Sequence, residues 1–202
     1  MKIIGGKYKG RNFYLPEGVR AAQNVVRKAV FDILGQDLEG LTFLDLFAGS
    51  GAMGIEALSR GAERVTFVER EPRCVEVIEK NLTLFNISSK DENRLSYEVF
   101  STDAFMAVRM LVRQEKFFDV IFMDPPYGAD LAKKALKTLD GCVIVHPNSW
   151  VVVQHDRPES LPQETDKLGL VMERRYGGTM LSVYQCKVPP SDPASKDAGR
   201  YV

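Results

Sequence analysis

Hydrophobic positions along the chain follow two successive rhythms. Up to Gly35 they come in short clusters: Ile3-Ile4, Tyr8 and Phe13-Tyr14-Leu15 alternate around Gly5-Gly6 and Lys9-Gly10. That pattern predicts short strands or a hairpin with glycine turns, ended by Pro16-Glu17-Gly18. Asn24 is placed to cap a helix whose apolar positions Val25, Val26, Ala29, Val30, Ile33 and Leu34 recur at spacings of three and four. Arg27 and Lys28 fall outside that apolar set, and Gly35 stops the helix. From Leu41 onward, apolar runs alternate with helical patterns. Strands are expected over 41–46, 64–69, 94–101, 117–124 and 150–155, and helices over 51–60, 72–85, 103–113 and 129–139. Residues 169–176 and 179–187 read as a closing hairpin around Gly177-Gly178.

Repeated strand–helix units predict an α/β fold: a doubly wound, mostly parallel sheet, with the first five strands in the order 3-2-1-4-5. The closing hairpin makes the sheet mixed and seven-stranded. The expected organisation is a basic hairpin and helix over 1–36, the α/β domain over 37–188 and a mobile tail over 189–202, rich in Ser, Pro and Asp.

Charge adds one asymmetry. The chain is neutral overall, yet Lys2, Lys7, Lys9, Arg11, Arg20, Arg27 and Lys28 stand against Glu17 alone in the first 28 residues. Such a basic segment on a neutral chain points to a polyanion, although short basic hairpins are also found simply solvated. Cys74, Cys142 and Cys186 are too far apart for a CxxC pair, and His146 and His155 lack metal-ligand spacing. Reduced thiols, no metal and a structural His155 are therefore expected. No apolar run reaches a membrane span and no signal-peptide core opens the chain, so a cytoplasmic protein is expected.

Two stretches carry chemistry. Gly49-Ser50-Gly51-Ala52-Met53-Gly54 matches GxGxxG after the first strand, and Glu69 ends the second strand where it can take ribose hydroxyls. Alone, these features fit a nicotinamide enzyme. Asp45, at the edge of the first strand, is instead placed to accept from the ammonium of an amino-acid-like cofactor. Asp124-Pro125-Pro126-Tyr127 ends the fourth strand. Its prolines stop the ladder and stiffen the backbone. It presents a carboxylate, rigid carbonyls and an aromatic ring, a set suited to a flat group bearing an amine. S-adenosylmethionine fits both stretches. Its expected contacts are Asp45, Phe47, Ala48, Gly49, Ser50, Gly51, Glu69 and Arg70, with Asp103 and Ala104 reading the adenine. Strands one and four are neighbours in the expected order, so both motifs should open into one crevice.

The Asp-Leu-Phe-Ala-Gly-Ser-Gly and Asp-Pro-Pro-Tyr pair resembles amino-group methyltransferases of nucleic acid. Ile3 to Gly10, Val26 to Phe31 and Arg175 to Thr179 resemble the RsmD family more closely, over about residues 1–187. The resemblance implies a Rossmann-like, class I S-adenosylmethionine-dependent enzyme that methylates the N2 amine of a guanine in 16S ribosomal RNA. It also implies a substrate within the small subunit or its precursor, and a monomer. Asp124, Pro125, Pro126 and Tyr127 would be the catalytic residues and the seven N-terminal basic residues the RNA contacts. One departure stands out: Arg20-Ala21-Ala22 replaces the family's Arg-Pro-Thr. An adenine-N6 methyltransferase and a non-catalytic ribosome-assembly factor are the alternatives.

Overall fold

The computed structural model describes residues 1–16, 24–87, 96–128 and 130–187. Arg20, the Ala21-Ala22 departure, the first two residues of the third predicted strand, Ala129 and the tail from 189 lie outside them. In chain order the elements are α1 (Asn24–Leu34), β1 (Thr42–Leu46), α2 (Ala52–Ser59), β2 (Arg64–Glu69), α3 (Pro72–Leu84), β3 (Ser96–Ser101) and α4 (Ala104–Arg113). They continue with β4 (Phe118–Met123), α5 (Leu131–Asp140), β5 (Val145–Asp156), β6 (Leu168–Tyr176) and β7 (Thr179–Cys186).

One seven-stranded sheet runs β3-β2-β1-β4-β5-β7-β6. The first five strands are parallel, and β7 lies antiparallel between β5 and β6. This is the expected order. Strands β1 and β4 are buried on both faces, as unbroken apolar runs require, so the sheet is covered on each side. Phe43, Val120, Phe122 and Val152 pack on one face with α1 and α2; Leu44, Ile121, Val151 and Val153 pack on the other with α4 and α5.

β5 is longer than the apolar run at 150–155 indicates. It begins at Val145 and its register against β4 slips between Phe118 and Val120. Pro147 cannot donate to a ladder, so the strand bulges there. Ser149 closes the bulge, donating to the Phe118 carbonyl (2.6 Å) and accepting from the His146 N–H (2.9 Å).

The N-terminal residues form a tight hairpin held by the Lys2–Asn12 bridge. It is docked, not appended. Ile3, Tyr8 and Phe13 share one apolar cluster with α1, Ile55, Leu58 and Ile78. The Lys7 N–H donates to the Ser59 carbonyl (2.6 Å), and the Tyr8 N–H to Ser59 Oγ (2.9 Å). Arg11 donates to the Leu84 carbonyl at the end of α3 (2.9 Å). Gly5-Gly6 permits this approach. A Cβ on Gly5 would lie 2.1 Å from the Arg60 guanidinium, and one on Gly6 (φ +69°) 1.8 Å from the Ser59 carbonyl oxygen.

Arg27 departs from expectation. Its side chain is fully buried and donates to the Lys2 carbonyl (2.8 Å) and to Asn24 Oδ1 (2.7 Å). It lies 3.8 Å from Glu56, which also holds Arg60 at 3.0 Å. The helix face that the spacing leaves polar is covered by the hairpin, so Arg27 is a buried strut and reaches no phosphate. Burial lowers its pKa from the usual arginine range, with Glu56 opposing and Arg60 adding to that fall.

Candidate active site

The crevice at the carboxyl edge of the sheet is a single cavity of about 480 Å³. The exits of β1 and β4 both open into it, as their pairing through Asp45–Phe122 and Leu46–Met123 requires. Every residue expected to bind the cofactor lines it except Gly51, and all four of Asp124, Pro125, Pro126 and Tyr127 line it.

The β1 exit is bent by positive φ at Phe47 (75°), Gly49 (54°) and Gly51 (73°). Phe47 is a costly place for that conformation, which marks a loop held by its surroundings. The Ala48 N–H donates to the Val68 carbonyl (2.9 Å) and the Gly51 N–H to the Ala48 carbonyl (2.8 Å). Gly51 shapes the turn from outside the cavity, since a Cβ there would meet Ile78 at 2.9 Å. Gly54 lets α2 lie close on β2: a Cβ would sit 2.2 Å from the Phe67 ring.

Asp45 is 1% exposed and accepts from the Gly54 N–H (2.9 Å). Burial pushes its pKa up to about 8; the Gly54 hydrogen bond opposes this, while the charges of Asp124 and Glu69 add to it. Glu69 is oriented by two backbone donors, Gly49 (2.7 Å) and Glu71 (2.8 Å), one on each oxygen. Asp103 caps α4 by accepting from the Phe105 N–H (2.9 Å) and Met106 N–H (3.4 Å). This fixes the loop that carries Ala104 to the rim. Tyr127 is 41% exposed, and its hydroxyl lies 3.2 Å from Thr179 Oγ1, so the ring is moored to β7.

The wall also holds residues the sequence reading missed. Phe105 packs edge-on against Phe47, with ring centroids 6.4 Å apart. Val26, Gln154 and Thr179 close the α1 side. A polar residue near the carboxyl end of a buried strand was the available signal for Gln154. Cys74 also lines the wall; burial, then Glu69 and Glu71, raise its pKa, which keeps the thiol protonated and unreactive.

Among the described residues, the N-terminal basic residues expected to meet RNA do not line this cavity. Lys7 and Arg11 are bound at the carboxyl ends of α2 and α3, whereas the amino ends of those helices face the cavity. Lys9 lies in the same hairpin turn. Lys2 is exposed at the hairpin base, and Lys28 is exposed and paired with Asp32.

A mixed sheet in this order, with the first glycine-rich turn and the fourth-strand exit sharing a crevice, is the architecture of the Rossmann-like methyltransferases. The Escherichia coli protein yhhF superposes with a TM-score of 0.78 at 27% identity, covering 93% of this chain and 98% of that one. The chain belongs to the RsmD family, whose family model, described as "Conserved hypothetical protein 95", matches residues 1–185. It is 32% identical to YlbH of Bacillus subtilis (strain 168), over 92% of this chain and 98% of that protein. It is 31% identical to "Ribosomal RNA small subunit methyltransferase D" of Haemophilus influenzae, over 92% of this chain and 93% of that one.

Proposed function

We propose that this chain transfers a methyl group from S-adenosylmethionine to the exocyclic N2 amine of a guanine in 16S ribosomal RNA, acting in the cytoplasm. The observation that carries the proposal is the shared cavity, lined by Asp45 and Glu69 and by Asp124, Pro125, Pro126 and Tyr127; on this reading Asp45 takes the cofactor's ammonium, Glu69 its ribose, and Asp124–Tyr127 the target amine. The family relatives named as small-subunit rRNA methyltransferases support the choice of RNA.

The residues present fit that cofactor. Glu69 retains lone pairs for a diol after its two backbone bonds. Phe47 and Phe105 offer apolar faces to an adenine. When bound, the cofactor supplies an electrophilic methyl group and a good leaving group. The guanine amine is a weak nucleophile because its lone pair is delocalised. Asp124 and the Pro125 carbonyl accept its two N–H bonds, which draws the nitrogen toward tetrahedral geometry and stabilises the charge that develops on it. The nitrogen lone pair would take the methyl group, the bonding electrons would remain on the cofactor's sulfur, and the amine would give up one proton to Asp124 or to water. Tyr127 stacks on the base, which must be unpaired or flipped out to enter.

Lys7, Lys9 and Arg11 belong to a second contact region on this reading. From the cavity to the far end of α2 is at least the 8-residue helix, about 12 Å. A nucleoside cannot span that distance; a folded RNA can. Lys2 and Lys28 lie nearer α1 and complete the basic surface.

The state of Asp45 sets a pH dependence. In the unfolded chain its carboxyl ionises near the ordinary aspartate value of 3.8, but in the fold only near 8. The free fold therefore loses stability as pH rises between those values, and a cation beside Asp45 offsets that loss. Binding an ammonium expels the proton, so cofactor affinity should rise about tenfold per pH unit between roughly pH 5.5 and 7.5. Asp45→Asn should flatten this slope, as measured by calorimetric titration across that range.

Methyl transfer is tested directly with labelled cofactor on small subunits and 16S rRNA from a strain lacking the enzyme, followed by nucleoside mass analysis. N2-methylguanosine is expected. N6-methyladenosine would replace guanine by adenine as the target, and unlabelled RNA would refute methyl transfer to this RNA.

A further inference from the structure

Gln154 is held by β5, where its backbone is paired with Leu181 of β7. Met123 of β4 pairs with Val153, so Gln154 stands next in line beside Asp124. Its side chain is 5% exposed and lines the cavity that holds Asp124 and Tyr127. Its Oε1 is buried and has no hydrogen-bond partner. A buried amide oxygen left unpaired is costly; because Gln154 lines the cavity, a turn of its side-chain amide brings Oε1 to the cavity face, where a substrate donor can pair it.

The chemistry of the missing partner follows from what sits beside it. Asp124 addresses the amine that receives the methyl group. On guanine the carbon bearing that amine is flanked by N1–H, a donor with the O6 acceptor beyond it, and on the other side by N3, an acceptor. On adenine the corresponding ring atom is N1, an acceptor. An acceptor beside Asp124 therefore pairs with guanine that enters by its N1–H edge, and opposes the N1 lone pair of adenine. We infer that Gln154 is the specificity-determining residue for guanine: Oε1 accepts from N1–H while the side-chain amide N–H donates to O6. This assignment rests on the proposed guanine-N2 transfer and names the group that reads the base. Asp124 binds the amine that guanine and adenine share, so it cannot make this distinction.

The test compares two substrates and two enzymes. RNA carrying 2-aminopurine at the methylated position keeps the target amine but replaces N1–H by an acceptor and lacks O6. Wild-type enzyme should methylate it with kcat/KM reduced about 10- to 100-fold relative to guanine. Gln154→Met should lose a similar factor on guanine RNA, with S-adenosylhomocysteine affinity unchanged, and should no longer distinguish guanine from 2-aminopurine. The loss should fall mainly on KM if Gln154 only holds the base, because it touches no reacting atom. Equal wild-type rates on the two bases would overturn the assignment without any variant. So would N2-methylguanosine formed as fast by Gln154→Met as by wild type, leaving the proposed function standing. Absence of N2-methylguanosine from every substrate would overturn the proposed function and this assignment together.

Discussion

Asp124→Ala is expected to cut methyl transfer by about 10²- to 10³-fold, the range seen when a group aimed at developing charge is removed. The loss should appear in kcat. Cofactor binding should persist, because the proposed function gives Asp124 to the target amine and not to the cofactor. It should even strengthen slightly, since the negative charge of Asp124 is one of the influences that keep Asp45 protonated. Single-turnover transfer to RNA, alongside calorimetric titration with S-adenosylhomocysteine, separates the two effects. Full activity in Asp124→Ala would mean that the amine is held elsewhere.

The second large effect concerns stability. Gly6→Ala should destabilise the fold by at least about 3 kcal/mol. A left-handed alanine costs about 1–2 kcal/mol by itself. Here the added Cβ also meets the Ser59 carbonyl oxygen at 1.8 Å, and backbone cannot yield as a side-chain tip can. Relief requires lifting the hairpin off α2, which exposes Ile3, Tyr8 and Phe13, each worth about 1.5–3 kcal/mol when buried. Gly10→Ala is the control. Gly10 also has positive φ (83°), but nothing lies within 4 Å of a Cβ there, so only the conformational cost applies. Urea unfolding of the two variants measures the difference. Equal destabilisation would show that the docked contact contributes nothing.

The alternation of apolar runs with helical spacing was enough to place the parallel strands and, with them, the meeting of the β1 and β4 exits. That works because a buried parallel strand is a local pattern and the handedness of its crossovers leaves few arrangements. Burial that depends on distant elements was not legible. Arg27 looks solvent-facing on its helix, yet the hairpin covers it, and nothing in the local spacing shows that cover. Gly5-Gly6 reads as turn chemistry, whereas the demand comes from Ser59 and Arg60 more than fifty residues away. Gln154 belongs to no motif. Its role depends on an unpaired atom and on the neighbour supplied by β4, both properties of the assembled sheet.

The order of the sheet also governs when it can be completed. β7 is the last strand in sequence, yet it lies inside the sheet, bonded to β5 on one side and β6 on the other. A nascent chain stopped before Thr179 would have made β6 with no strand to join it to the rest, and would leave the flank of β5 open. It would also lack Thr179 itself, the mooring of Tyr127. Completing the sheet and anchoring the Tyr127 ring of the proposed amine clamp thus both depend on β7, the last strand to be synthesised.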